Sequence, residues 1–263
     1  MIVQSCITAS NLSAGYNGTP VFHNIDINIP KEKITTLIGS NGSGKSTILK
    51  TMSRLIVPTQ GAVYLEGSSI HSMPTNLVAQ KLALLPQSAQ TPFGITVEEL
   101  VEYGRFPYRN RITGITLKDR EIIKWALSST NMTELADREM DQLSGGQRQR
   151  GWIAMALAQK TGILFLDEPT TYLDISHQLE ILQLLRKLNE EQGVTIVMVL
   201  HDLNHAIMFS DYLIAIKDGK KYSSGLPEDV ITSQTILEVF HVKAEVIRHP
   251  ILNVPVCLPY DVG

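Results

Sequence analysis

Gly39-Ser40-Asn41-Gly42-Ser43-Gly44-Lys45-Ser46-Thr47 fits the pattern G-x-x-x-x-G-K-[ST]. It lies between the apolar run Ile34-Thr35-Thr36-Leu37-Ile38 and the amphipathic stretch Ile48-Leu49-Lys50-Thr51-Met52, a strand–loop–helix context. The chemistry is anion capture. Glycines without Cβ take the positive-φ conformations that let backbone N–H groups curl around a phosphate. The helix that starts there adds unpaired N–H groups and the positive end of its dipole. Lys45 is then expected on the β- and γ-phosphates as a point charge, and Ser46 offers its hydroxyl to Mg²⁺. The plain alternative, a Gly/Ser turn with a stray lysine, does not account for the strand before and the helix after.

Composition limits what such a loop can serve. The chain has 263 residues, 43% hydrophobic and 19% charged, enough to bury a sizeable core. Its formal net charge of −3 gives no electrostatic footprint for nucleic acid, so no nucleic-acid partner is expected. No apolar run approaches the about 18 residues that would span a bilayer. Met1–Cys6 has no charged region followed by an apolar core, so secretion is not indicated. The two cysteines, Cys6 and Cys257, stand near opposite ends and are read as inert thiols in a reducing cytosol.

Outward from the loop the chain alternates. Residues 7–30 read as antiparallel strands broken by Tyr16-Asn17-Gly18. Tyr16 is a candidate platform for adenine, although spacing alone favours a turn tyrosine capping an apolar edge. Residues 62–66 and 81–85 read as further strands, the second stopped by Pro86 and followed by Gln87. From there to about Gln142 strand signals vanish, and residues 97–103, 117–130 and 133–137 read as helices, a helical insertion into an α/β domain. Beyond it, helix 145–158, strand 163–167, helix 175–191, strand 194–200 and helix 203–209 alternate. Near-continuous apolar strands separated by helices predict a parallel sheet covered on both faces. Residues 212–216 and 220–223 predict a hairpin through Asp218-Gly219, and a short helix at 233–240 precedes extended pieces.

Three further clusters carry chemistry. Asp167 and Glu168 end an apolar strand, where α/β sheets bind ligands. Asp167 is suited to hold Mg²⁺ through water, and Glu168 to orient or deprotonate an attacking water. Leu143-Ser144-Gly145-Gly146-Gln147 opens a second helix fit to bind a phosphate, although Ser-Gly-Gly taken alone is an ordinary N-cap turn. Two phosphate-binding helix ends with one magnesium carboxylate are reconciled if the second end serves a nucleotide held by another copy of the chain. His201 follows the strand at 194–200 and is read as a hydrogen-bonding sensor of the γ-phosphate. With His205 it has i, i+4 spacing, but Asp202 stands where the zincin pattern needs Glu, so zinc is not expected. His23, His71, His177, His241 and His249 are scattered and read as surface or loop histidines.

Taken together, these stretches resemble the ATP-binding subunits of ABC transporters over almost the whole chain. The match comprises the Walker A loop Gly39–Thr47, a Q-loop glutamine at Gln87 and the signature Leu143–Gln147. It continues through Walker B Ile163–Asp167 with Glu168, the D-loop Thr171-Tyr172-Leu173-Asp174 and the switch histidine His201. The resemblance implies an α/β fold with a P-loop NTPase core, a mixed but mainly parallel sheet with helices on both faces. To it are added an N-terminal antiparallel β subdomain and an inserted α-helical subdomain. The implied division is 1–87 and 143–240 for the core with its β subdomain, 88–142 for the helical subdomain and 241–263 for a short C-terminal extension.

By the same resemblance Tyr16 becomes the aromatic that stacks on adenine. ATP is implied to lie between Gly39–Thr47 of one chain and Ser144, Gly145, Gly146 and Gln147 of a second, in a head-to-tail homodimer. Glu168 serves as base or water-positioner, Lys45 and His201 meet the γ-phosphate, and Ser46, Gln87 and Asp167 surround Mg²⁺. Asp174 links the two sites. The helical segment from Ser88 to Gln142 is implied to receive two integral-membrane permease subunits at the cytoplasmic face of the membrane, supplied indirectly by a substrate-binding protein. Tyr103-Gly104-Arg105-Phe106-Pro107-Tyr108, the D-loop wording and Asp202-Leu203-Asn204 look like importers of ferric siderophores, cobalamin and haem, and the short tail is similar to the ferric-siderophore members. The expectation is therefore an ATPase subunit for iron(III)-siderophore import. Cobalamin, haem or another metal chelate is the alternative cargo, and a soluble ABC ATPase acting on ribosomes or DNA the alternative of a different class.

Overall fold

The structure is a computed structural model that describes residues 5–87, 92–109 and 114–263. The N-terminal reading at Met1–Gln4 and the start of the helical segment at Ser88 lie outside the described residues. The chain forms two units, Met1–Ser72 with Thr195–Gly263, and Met73–Val194.

In the first unit, β1 (Ser5–Tyr16) and β2 (Thr19–Pro30) form an antiparallel hairpin. The two residues that join them, Asn17 and Gly18, both have positive φ (50° and 77°), as a two-residue turn matched to strand twist requires. β1 also pairs antiparallel with the strand Gln60–Leu65, which carries the short strand Ser68–Ser69 at its far side. Ile7, Ala9, Ile25, Ile27, Ile29, Val63 and Leu65 are all buried, the one-face alternation of a half-buried antiparallel sheet.

The central strands of this unit follow a different rule. β3 (Ile34–Ile38) is flanked by two parallel neighbours, Thr195–Val199 and Tyr212–Lys217. Every residue of β3 and of Thr195–Val199 is buried, so alternation gives way to a continuous apolar run. Two of the three threonines inside these strands are tied up: Thr195 Oγ1 accepts from Glu32 N at 2.8 Å, and Thr36 Oγ1 bonds Ser210 Oγ at 2.6 Å, whereas Thr35 Oγ1 is buried without a hydrogen-bond partner. Lys220–Gly225 closes the predicted hairpin antiparallel to Tyr212–Lys217. Helices Lys45–Met52, Leu203–Phe209, Pro227–Val230 and Ser233–Phe240 complete the unit, with a C-terminal hairpin of Val242–Arg248 and Pro255–Val262. That hairpin is fastened by Asn204, whose side chain accepts from Cys257 N at 2.9 Å and donates to Cys257 O at 3.2 Å. Cys6 and Cys257 are free and buried, and burial pushes both thiols up.

The second unit contains helix Thr75–Lys81, the parallel strands Leu82–Leu85 and Ile163–Asp167, and helices Val97–Tyr103, Leu117–Ser129, Gly145–Ala158 and Ile175–Gln192. Three of the helices open with a capping box, Thr96/Glu99, Thr116/Asp119 and Ser144/Gln147, which fixes where each begins. The helix expected at 133–137 is a single 3₁₀ turn, Thr133–Leu135. Its would-be helical carbonyls are taken elsewhere: Ala136 O accepts from Glu98 N and Arg138 O from Val97 N. Three residues cannot outbid that pairing.

Tyr103–Tyr108 acquires a structural meaning. Arg105 is 4% exposed and donates through Nε to Asp119 Oδ1 at 2.8 Å and through Nη1 to Ala158 O at 2.7 Å. Burial alone would push the Asp119 carboxyl up. The bonds from Thr116 and Arg105 outweigh it and hold it at about 2. Gly104 is needed beside it, because a Cβ there would stand 2.2 Å from Met155 O. Arg105→Ala leaves the Asp119 charge buried without its partner, and the expected cost is about 3–5 kcal/mol. Urea unfolding measures it; a loss below about 1 kcal/mol, the range of an exposed pair, would contradict the clamp. Because the carboxyl is depressed from about 3.9, its contribution is full above that value and fades as pH falls towards 2.

Candidate nucleotide-binding site

In the first unit, the loop Gly39–Gly44 leaves the C-terminal end of β3 and runs into the helix Lys45–Met52. Gly39 has φ 155° and no room for a side chain, since a Cβ would lie 2.2 Å from Ile216 O. Gly44, the N-cap, has φ 102°, a left-handed conformation that lets the chain turn directly into the helix. It brings no side chain that could cap the N–H groups of the first turn. Lys45, 5% exposed, folds back over that loop, its Nζ donating to Gly39 O and Ser40 O, both at 2.9 Å. Asn41 and Gly42 are exposed, Ser43 and Thr47 are buried, and Ser46 is partly exposed in the first helical turn.

His201 follows Leu200, whose N–H donates to Leu37 O at 3.4 Å. As Thr195–Val199 is parallel to β3, His201 and the phosphate loop emerge at the same strand-end edge of this unit. Tyr16 closes β1 beside its turn and is 49% exposed.

In the second unit, Leu85 pairs with Leu166, so Gln87 and the Asp167-Glu168 pair also leave their two strands at one edge. Asp167 is 1% exposed. Glu168 is partly exposed and has φ 54°, a left-handed conformation that costs a non-glycine residue about 1–3 kcal/mol and is characteristic of functional turns. Its Oε2 accepts from Gln87 Nε2 at 2.5 Å and from Thr171 Oγ1 at 3.0 Å. Two donors on one oxygen fix the direction of the carboxylate. Thr171, assigned only to the D-loop from sequence, is thereby part of the Glu168 arrangement.

The helix Gly145–Ala158 begins with Ser144 Oγ accepting from Gln147 N at 3.3 Å, while Ser144 N donates to Gln147 Oε1 at 3.0 Å. The N-cap role is real, and as Ser144 Oγ accepts in it, the hydroxyl proton stays available to an acceptor approaching the exposed Ser144-Gly145 end. Asp174 caps the helix Ile175–Gln192 in the same way, accepting from His177 N. His177, read as a surface or loop histidine, is partly exposed in the first turn of that helix, with its ring against Gly146. The signal that could have found it is the Asp-x-x-His spacing after a D-loop, which places it at N3 beside the capping carboxylate.

The residues expected from sequence around Mg²⁺, Ser46 in the first unit and Gln87 and Asp167 in the second, each offer a hard oxygen, a hydroxyl, an amide and a carboxylate. That chemistry fits an ion which keeps waters and takes its remaining ligands from phosphates. It does not need a cluster of three His, Cys, Asp or Glu side chains, and none occurs among the described residues.

Residues 22–171, more than half of the chain, match the family described as ABC transporter. The iron(3+)-hydroxamate import ATP-binding protein FhuC of Bacillus subtilis (strain 168) is 55% identical over 255 residues, 97% of this chain and 95% of that protein. The ferric enterobactin transport ATP-binding protein FepC of Escherichia coli (strain K12) is 44% identical over 253 residues, 96% of this chain and 93% of that protein. Among solved structures, the dimeric bacterial ABC transporter cassette MJ0796 is similar at a TM-score of 0.74 and 32% identity, over 84% of this chain and 98% of that one. Its dimeric post-hydrolysis state bound to ADP and Pi is similar to the same extent. The likeness carries with it the P-loop NTPase fold that the resemblance implied, and by full-length relatives and family match alike the chain belongs to the ABC transporter family.

Proposed function

We propose that the chain is the ATP-hydrolysing subunit of an importer for iron(III)-siderophores, with hydroxamate carriers as its cargo class. It works as a head-to-tail pair of identical chains beneath two membrane permease subunits at the cytoplasmic face. The observation that carries the cargo is the 55% identity to an iron(3+)-hydroxamate import protein across 97% of the chain. Among the described residues no helix is long and apolar enough to cross a membrane, and this reading assigns the crossing to the permeases.

In the proposed cycle Tyr16 stacks on adenine, and Gly39–Thr47 wraps the phosphates with Lys45 swung from its loop carbonyls onto the β- and γ-oxygens. Ser46, Gln87 and Asp167 would hold Mg²⁺, which supplies neutralising charge to those oxygens. Glu168, aimed by Gln87 and Thr171, takes a proton from water as its oxygen bonds the γ-phosphorus and the bond to the β-bridging oxygen breaks. His201 hydrogen-bonds the γ-phosphate. Ser144, Gly145 and Gly146 of the other copy, with the helix end behind them, close over the same phosphate. Gln147 holds Ser144 in place and Asp174 sets the neighbouring loop. ATP thus stabilises the closed pair, and hydrolysis releases it. The division into 1–87 with 143–240, 88–142 and 241–263 belongs to this proposal, with 88–142 as the permease-facing part.

Cells lacking the gene are expected to lose uptake of radiolabelled iron on hydroxamate carriers and to regain it with the wild-type gene but not with Glu168→Gln. Citrate and catecholate carriers, cobalamin and haem serve as parallel cargoes. Unchanged iron uptake with loss of cobalamin or haem uptake would overturn the cargo assignment.

A further inference from the structure

His177 touches both segments by which one chain would reach its partner's nucleotide. Its Nδ1 lies 2.7 Å from Asp174 Oδ1, and its backbone N–H donates to the same oxygen at 2.9 Å. Ser176 Oγ donates there too, at 2.9 Å. These bonds, the His177 backbone N–H foremost, hold the Asp174 carboxyl at about 2. It is therefore ionised at neutral pH and only accepts, which places the ring proton on Nδ1.

The other side of the ring rests on the first turn of the helix Gly145–Ala158. A Cβ at Gly146 would stand 2.6 Å from His177 Cδ2 and 3.0 Å from Cγ. The ring cannot swing aside without giving up Asp174, so position 146 has no space for any side chain. One residue earlier, a Cβ at Gly145 would meet Leu173 of the D-loop at 3.8 Å, ordinary contact. Capping of the helix Ile175–Gln192 needs only the His177 backbone N–H. The imidazole does something else.

We propose that His177 is a positioning residue for the composite ATP site, its ring spacing the D-loop at Asp174 from the phosphate-binding helix end at Gly146 so that both meet the partner's ATP together. This rests on the head-to-tail reading given above. The ring acts through its neighbours: Nδ1–H fixes Asp174, and the Cδ2 side of the ring fixes the backbone of Gly146.

The test is made in Glu168→Gln protein, by sedimentation against MgATP concentration, with binding of a fluorescent N-methylanthraniloyl-ATP to the single chain measured alongside. His177→Ala is expected to raise the ATP concentration for half-dimerisation by about tenfold or more, since small misplacements of a preorganised site carry such losses. Nucleotide binding to the single chain stays unchanged. His177→Asn, whose side-chain N–H can stand where Nδ1–H stands, is expected to recover most of the loss. Dimerisation of His177→Ala at the parent's ATP concentration would overturn the inference, as would an Asn variant no better than Ala, or weakened ATP binding by the single chain. If the Glu168→Gln parent itself fails to pair with ATP, the head-to-tail reading falls first and this inference with it.

Discussion

Glu168→Gln lowers the rate of ATP hydrolysis by about 100- to 10,000-fold, the range a positioned general base supplies, while ATP binding is kept. The expectation follows from the direction of the carboxylate. Gln87 Nε2 and Thr171 Oγ1 both donate to Oε2, and an amide oxygen at the same place accepts from both donors almost as well. The left-handed backbone at residue 168 is also kept, so the substitution removes proton acceptance and little else. Phosphate release under saturating MgATP measures the effect. A rate within twofold of wild type would remove Glu168 from the chemistry and leave Gln87 and Thr171 holding a carboxylate of no catalytic use.

Lys45→Ala acts on binding rather than on the chemical step. In the structure the ammonium is buried and bonded to Gly39 O and Ser40 O, so the lysine both shapes the loop and stores the charge that ATP would claim. A hydrogen bond to a charged group contributes about 1.5–3 kcal/mol, which corresponds to a rise in Kd of about 10- to 150-fold. Calorimetric titration with MgATP measures it. An unchanged Kd would contradict the phosphate-loop role, because no neutral side chain replaces an ammonium on two phosphates.

Which parts were legible in sequence follows from where the determining forces lie. Strand 34–38, helix 97–103, helix 145–158, strand 163–167 and helix 203–209 occur with the bounds read from the chain. Each is fixed locally, by a continuous apolar run or by a cap such as Thr96, Ser144 or Asp202. The helix expected at 133–137 shrank to one turn because the partners of its carbonyls come from residues 97 and 98, about 40 places away in the chain. The helix Thr75–Lys81 was not anticipated; its N-cap is Pro74, and no side chain caps it. The closing hairpin was read only as extended pieces, since its attachment depends on Asn204 meeting Cys257 53 residues on.

The site divides in the same manner. Gly39–Thr47, Asp167 and Glu168 are proposed from sequence because their residue types and spacing suit phosphate, magnesium and base chemistry. Arg105, Thr171 and His177 do not, because their roles are relations: Arg105 to Asp119, Thr171 to Glu168, His177 to Asp174 and Gly146. A lone histidine in a sequence is most often a surface residue. Only the Asp174 carboxylate on one side and a glycine without room for a Cβ on the other give this one a task.

In the proposed head-to-tail pair, ATP is shared between two copies of the chain. Sedimentation of Glu168→Gln with and without MgATP, with bound nucleotide counted in each species, tests it most directly. A 29.1 kDa single chain is expected without nucleotide or with MgADP, and with MgATP a pair of chains holding one ATP per chain. A protein that binds ATP yet stays single, or pairs equally well with ADP, would contradict it.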